Sequence, residues 1–463
     1  MVINMKIYAE YLKSLKNTIF PESSDNTSVI ADYYIRIMLF LYPMYLAQDQ
    51  IWGLFTDKEI IYFILSLLSI ILSFVLLRKR KVNQFRMKFI DIYLILLAIV
   101  MVMMITVRLI RKDMDIESEI LLLCFFITYF LVRSINSGYK YYLSLLMISA
   151  AFLYAGMIKY CLTGTESLFG VEAMLRQPEG TATWLILACC ISILLYSKEV
   201  KKSWNIFYLF MSAAGFLLLF LYGDMIAACI VWIIILIVPF IFDATVNLIK
   251  KNLVLCFMFF FLFSCIPLFQ NISGELLEYP YNSLNGIIIL LFLSIAGLFI
   301  CNYWTKIPKD INPEIIIMKK FRRWYGQVLM VTGIVLAVCI LTSRPISDLP
   351  EKFGIRILKI FSASLVLSIQ ANKSFFQFLL EEYGLMGGIF WIHLTIIIIN
   401  RLRKQWKKED STVKILIVIS VIFLVQTFFY QLQPISTPMY VIVLTFALYA
   451  NRSKDKEVIK VND

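Results

Sequence analysis

The amino-acid sequence predicts an all-α, polytopic integral membrane protein with about fourteen transmembrane helices. Three observations lead there. Of the 463 residues, 60% are hydrophobic and 16% charged, whereas about a quarter of a soluble domain is charged. Apolar runs of about 17 to 25 residues recur along almost the whole chain, each long enough to cross a hydrocarbon core of about 30 Å. Lys and Arg gather in short clusters between those runs, and the clusters fall on alternate links.

In chain order the spans are predicted near 31–53, 60–77, 89–109, 119–135, 141–161, 181–197, 205–222, 225–245, 253–269, 283–301, 326–342, 378–400, 412–430 and 435–450. The second and third are divided by Arg78, Lys79, Arg80, Lys81, Arg86 and Lys88. Lys198, Lys201 and Lys202 follow the sixth, and Lys250 and Lys251 the eighth. Lys306, Lys309, Lys319, Lys320, Arg322 and Arg323 follow the tenth, Arg401, Arg403, Lys404, Lys407 and Lys408 the twelfth, and Arg452, Lys454, Lys456 and Lys460 the last. Counting helices puts every cluster on one side, and the positive-inside tendency makes that side cytoplasmic, together with both termini. The expected organisation is a cytoplasmic segment over 1–30, one transmembrane domain over 31–450 and a cytoplasmic tail over 451–463. The protein is expected in the cell membrane. The first thirty residues show no apolar stretch followed by a small-residue cleavage site, so no removable signal is expected.

Several classes are disfavoured. The formal net charge is +13, but its carriers sit between spans rather than on one soluble face, so no nucleic-acid partner is expected. The nine cysteines lie in or at the ends of apolar runs without a CxxC pair, and read as packing residues rather than a disulfide framework or zinc site. Nucleotide-binding, serine-hydrolase and HExxH metalloprotease signatures are missing. The single histidine, His393, sits in the apolar run WIHLTIIII and reads as a structural residue satisfied by a neighbouring helix. No metal or cofactor is expected.

Candidate residues cluster at the opposite, external ends of the spans. The longest external link, about 343–377, carries Arg344, Lys352, Arg356, Lys359 and Lys373 against Asp348 and Glu351. A basic external loop runs against the positive-inside tendency and suits an anionic ligand, whether pyrophosphate or ordinary lipid headgroups. Within it, GIRILKIFSASLVLSI places Arg356 and Lys359 three apart on one face of an interfacial helix. Arg176 stands in RQPEG, just before a helix start favoured by Pro178 and Gly180. Asp224 occupies the two-residue hairpin Gly223-Asp224, which turn formation alone would also explain. In SFFQFLLEEYGLMGGIFW, Glu381 and Glu382 run directly into Gly384, Gly387 and Gly388, a face for close helix packing. A helix beginning before Phe378 carries the acids into the bilayer, and one beginning at Tyr383 leaves them interfacial.

The order of these features over residues 117–450 resembles the O-antigen ligase and O-antigen polymerase superfamily, membrane glycosyltransferases acting on undecaprenyl-pyrophosphate-linked saccharides. The resemblance is carried by ILLLCFFITYFLVRSINSGYKYYLSLLMISAAFLYAGMIKYCLTG, RQPEGTATWLIL, YGDMIAACIVWIII, the loop opening SRPISD, and FFQFLLEEYGLMGG. Lys373 and Ser374 stand where that superfamily has His-Asn, and Gly223-Asp224 where it has Ser-Arg. The resemblance implies a GT-C-like fold with a long external loop and transfer of a saccharide from the lipid pyrophosphate to an acceptor hydroxyl. By the same resemblance, Arg344 and Arg356 would contact pyrophosphate and Glu382 would act as base or as partner of an arginine. Arg176, Asp224, Lys359 and Lys373 would be further binding residues. The implied partners are the lipid-linked saccharide, membrane lipids and a polysaccharide chain-length regulator. A second resemblance is to the SEDS peptidoglycan glycosyltransferases, through QPE at 177–179, Gly223-Asp224 and FFQFLLEEYGLMGG. The helix count also suits a lipid-linked saccharide transporter or flippase, and Lys373-Ser374 a noncatalytic membrane partner.

Overall fold

A computed structural model describes residues 26–44, 57–78, 89–111, 117–133, 135, 138–163, 178–222, 225–242, 245–273, 295, 374–406, 411–433 and 435–450. Every secondary-structure element among the described residues is helical. In chain order they are α1 (Asn26–Arg36), α2 (Asp57–Arg78), α3 (Phe89–Arg111), α4 (Glu117–Val132), α5 (Tyr139–Thr163) and α6 (Pro178–Lys198). They continue as α7 (Lys202–Tyr222), α8 (Met225–Ile241), α9 (Val246–Ser273), α10 (Phe375–Trp406), α11 (Ser411–Gln426) and α12 (Thr437–Tyr449). Each falls on a predicted span; apart from residue 295, the spans expected at 283–301 and 326–342 lie outside the described residues.

Among the described residues, three helical stretches are long and apolar enough to cross a membrane: Tyr139–Tyr160, Gly180–Lys198 and Lys202–Leu221. The bundle's outer surface is also apolar. Leu96, Ile99 and Met103 are exposed along α3, and Ile389, Ile392, Ile396 and Ile399 along α10. Their three- and four-residue spacing makes continuous stripes on single helix faces, a surface suited to acyl chains rather than water.

α6 is the central helix. Every position of its apolar stretch is buried, and it packs on α5, α7, α8, α9 and α11. Small residues allow this approach. Ser212 of α7 donates to the Ser192 hydroxyl at 2.9 Å. A Cβ at Gly215 of α7 would collide with Cys189 Sγ and stand 2.8 Å from the Tyr154 hydroxyl. Without a hydrophobic driving force between helices in lipid, such close fits and interhelical hydrogen bonds hold the bundle. A second polar seam joins α1, α2 and α4, where the Thr128 hydroxyl meets those of Tyr34 and Tyr62, each at 2.8 Å.

Several boundaries differ from the sequence expectation, α9 starting seven residues before 253 and α10 ending six after 400, and two of the differences have a local cause. The helix begun by α1 widens into a π-helical segment, Ile37–Leu41, before the turn Tyr42–Met44. Pro43 lacks the N–H that would bond one turn back, Tyr42 bonds instead to the Ile37 carbonyl, and Ser149 of α5 donates to the Phe40 carbonyl at 3.1 Å. At the other end of the chain, α11 stops at Gln426 rather than near 430. Residues 427–430 form turns, because the following Gln-Pro at 433–434 disfavours helix and Pro438 restarts one within its first turn.

Hydrogen bonds and ion pairs define two ends. Lys251 at the start of α9 donates to the carbonyls of Tyr196, in the last turn of α6, and of Glu199, just after it, Lys140 at the start of α5 pairs with Glu199, and Gln405 bonds to the Leu448 carbonyl. This is the end that carries the basic links, here the basic end. The far end holds the starts of α6 and α10 and the hairpin between α11 and α12.

Candidate functional site

At the far end, the FFQFLLEEYGLMGG stretch folds sharply. Eight helical residues advance about 12 Å and sixteen about 24 Å. Yet a Cβ on Gly388 would lie 2.6 Å from Leu380 Cδ2 and 3.5 Å from Phe376, and the rings of Phe375 and Trp391 meet edge to face with centroids 4.9 Å apart. α10 therefore doubles back between Leu380 and Gly388, where glycines relieve the crowding of a tight bend. The first turn is pinned to the last hairpin. Phe375 N–H bonds to the Tyr430 carbonyl and Phe376 N–H to the Thr427 carbonyl, while Trp391 Nε1 donates to the Thr427 hydroxyl at 3.2 Å. Ser374 caps the turn through Gln377 N–H at 3.0 Å, and the Gln377 side chain returns the bond to Ser374 N–H, a reciprocal arrangement that fixes the helix start. The glycine face expected to meet another helix is thus covered, at Gly388, by α10 itself.

The start of α6 reaches the same hairpin. The Thr183 and Ser436 hydroxyls are 2.9 Å apart, and Tyr440 donates to the Thr183 carbonyl at 3.3 Å. Between them lies a narrow pocket with room for about one water molecule, lined by Thr183, Gln426, Gln431, Gln433, Ser436 and Tyr440 among others, none of them charged. Gln426 is 3% exposed, and neither amide atom has a hydrogen-bond partner among the described residues. The Tyr440 hydroxyl stands near enough to interact with that amide but without hydrogen-bond geometry. A buried polar group left unmade costs about 1–3 kcal/mol.

The sequence-predicted residues divide simply. Arg176, Asp224, Arg344, Arg356, Lys359 and Lys373 lie outside the described residues. Glu382 belongs to the described backbone of α10, within the segment that bends. His393 has the neighbouring-helix partner the sequence suggested: its Nδ1 is 3.0 Å from the Tyr93 hydroxyl of α3, and the two rings meet edge to face. Among the described residues no group of His, Cys, Asp and Glu is arranged to hold a metal ion.

Sequence reasoning missed the buried charges at the basic end. Arg133, after α4, is 1% exposed and pairs with the fully buried Asp91 of α3 at 2.7 Å. Asp91 Oδ1 accepts from the Tyr129 and Tyr449 hydroxyls at 2.9 and 2.8 Å, and the Arg133 guanidinium lies 4.9 Å from the Tyr449 ring centre. Asp32 and Arg36 of α1 pair at 2.7 Å, and Tyr142 of α5 donates to Asp32. Glu199 pairs with Lys140 at 2.8 Å and accepts from the Val200 and Lys201 N–H groups. Burial pushes its carboxyl upward, but Lys140 and the two backbone donors outweigh burial and hold it below its usual range. The available signal was a single acid or base within a turn of a span end, as in FIDIYLILL and FLVRS, which the charge clusters overshadowed.

Compared with protein family models, curated proteins and solved structures, the chain matches none. The geometry itself offers structural ion pairs at one end and, at the other, an uncharged hydrogen-bonding pocket beside a tightly bent helix.

Proposed function

We propose that the chain is a surface-polysaccharide polymerase or ligase, a membrane glycosyltransferase of about fourteen spans with a GT-C-like arrangement. It would transfer a saccharide from an undecaprenyl-pyrophosphate-linked donor to an acceptor hydroxyl at the outer face of the cell membrane. The observation that carries this reading is convergence. Two stretches that resemble the O-antigen ligase and polymerase superfamily, at the start of α6 and in the first half of α10, meet the α11–α12 hairpin at one end, opposite the basic links. With those links cytoplasmic, the convergent end faces outward, where a lipid pyrophosphate donor is presented.

In the transfer, the acceptor hydroxyl oxygen bonds to the anomeric carbon as the bond from that carbon to pyrophosphate breaks. The electron pair leaves with undecaprenyl pyrophosphate. The hydroxyl proton goes to a base, for which Glu382 is the candidate. Arg344 and Arg356 would stabilise the departing diphosphate by charge-assisted hydrogen bonds, with Arg176, Lys359 and Lys373 as further cations and Asp224 at the neighbouring hairpin.

The test is reconstitution of the purified chain in lipid vesicles with the producing cell's lipid-linked saccharide. Higher-mass product is expected, and Arg344→Ala or Arg356→Ala is expected to cut its rate on the order of 10²-fold. Saccharide that crosses the bilayer without lengthening would instead make the chain a transporter. Unchanged rates in both variants would remove the arginines from the mechanism.

A further inference from the structure

On the outer wall of α10 an imidazole stands among isoleucines. Ile389, Ile392, His393, Ile396 and Ile399 follow one another at three- and four-residue spacing and are all exposed, so they share one face of the helix. His393 is two residues past Trp391, which meets the α11–α12 hairpin at Thr427. It is also about 18 Å along the helix from Gln405, which bonds at the basic end. That places it well inside a hydrocarbon core of about 30 Å. Its Nδ1 is 3.0 Å from the Tyr93 hydroxyl, and the Tyr93 ring is held by stacking on Phe390 with centroids 4.8 Å apart. Its Nε2 has no hydrogen-bond partner among the described residues. Ionisable side chains within spans ordinarily face the bundle interior or a polar partner. An acyl chain offers no such partner, so a ring nitrogen left to lipid costs free energy.

A neutral imidazole donates from one ring nitrogen and accepts at the other. The Tyr93 hydroxyl can serve Nδ1 in either tautomer, since it donates and accepts, and Nε2 is then a donor or an acceptor in turn. The complement of such a group is a second imidazole in the other tautomer. Two copies of the chain, inserted the same way and related by a twofold axis along the membrane normal, bring the same residue to the same depth. An unrelated helix would match that depth only by chance. The flanking isoleucines then pack on their own counterparts across the axis.

We propose that this face of α10 is the interface of a homodimer, in which the two His393 side chains bond Nε2–H to Nε2 across the axis. In one protomer Tyr93 donates to Nδ1 and Nε2 carries the proton. In its partner Nδ1 carries the proton and donates to the tyrosine, and Nε2 accepts. The inference needs the bundle to span a membrane but does not need the proposed glycosyl transfer.

The test is made in membranes of cells producing the full chain, with all nine native cysteines replaced by serine or alanine. Under mild oxidation His393→Cys is expected to give a disulfide-linked product of twice the chain's mass that reduction removes. Phe210→Cys, on α7 and 68% exposed, is expected to remain monomeric. A second measurement mixes chains carrying donor or acceptor fluorescent proteins at the C-terminus in liposomes and follows energy transfer as added lipid dilutes them. His393→Leu is expected to weaken association several-fold, and His393→Asn, which also donates and accepts, to hold it near wild type. Should the leucine variant fail to fold, the crosslink and the asparagine variant decide. No crosslink at position 393, equal crosslinking at both positions, or a product of any other mass overturns the homodimer. Equal association of wild type and a folded His393→Leu overturns the imidazole pair.

Discussion

Asp91 is carried into the bundle in the first turn of α3, where a carboxylate also suits the positive end of the helix dipole. Two tyrosine hydroxyls and the Arg133 guanidinium then complete it. Because both charges are buried, removing one leaves the other stranded, which costs about 3–5 kcal/mol in a protein interior. Arg133→Met is therefore expected to lower the melting temperature in detergent well below that of wild type, and Asp91→Leu combined with Arg133→Met to recover most of the loss. Additive losses would show that the pair does not act as a unit. Glu199 gives a pH-dependent counterpart. Its folded carboxyl is held below its usual range, so its contribution is present above the unfolded pKa and is lost as pH falls through the folded one. The stability gap between wild type and Glu199→Gln is expected to be full at neutral pH and to close below the ordinary carboxylate range. A gap that widens in acid would reverse the sign. None of these residues stood out in the sequence, since pairing across 42 and more positions leaves no local pattern. The lone charge near a span end was the only trace.

At the scale of elements, hydropathy located the helices because burial in lipid demands long apolar runs with internally satisfied backbones. It could not locate the bend in α10, since FFQFLLEEYGLMGGIFW has helical propensity and apolar content on both sides of the turn. Only the glycines at 384, 387 and 388 marked a place where a helix can fold on itself. Cysteines placed at 375 and 391, in a background otherwise free of reactive thiols, are expected to be joined efficiently by a short crosslinker, as their rings are in contact. A straight helix would hold them about 24 Å apart and give no such product. The α6–α7 contact was likewise visible only as small residues in two runs. Gly215→Ala is expected to lower the melting temperature by several degrees, because the added methyl must displace Cys189 Sγ. Adding Cys189→Ala, which removes that sulfur, should recover part of the loss.

For the whole molecule, the alternation of basic links predicted which helix ends share a side, and the contacts agree wherever both are described. Lys140, Glu199 and Lys251 meet at one end, while Thr183, Phe375 and Ser436 meet at the other. Which end faces the cytoplasm rests on the positive-inside tendency, and cysteine labelling tests it directly. Val200 is 93% exposed at the basic end, whereas Gln431 lines the mouth of the far-end pocket. In intact cells, a membrane-impermeant maleimide is expected to label Gln431→Cys and spare Val200→Cys, with the latter labelled once the membrane is permeabilised. Among the described cysteines five are buried and Cys265 is partly so, but all nine in the sequence are best replaced by serine or alanine so that background labelling cannot blur the contrast. The opposite pattern would turn the convergent end toward the cytoplasm. Polymerisation at the outer leaflet would then have no access to the bent start of α10.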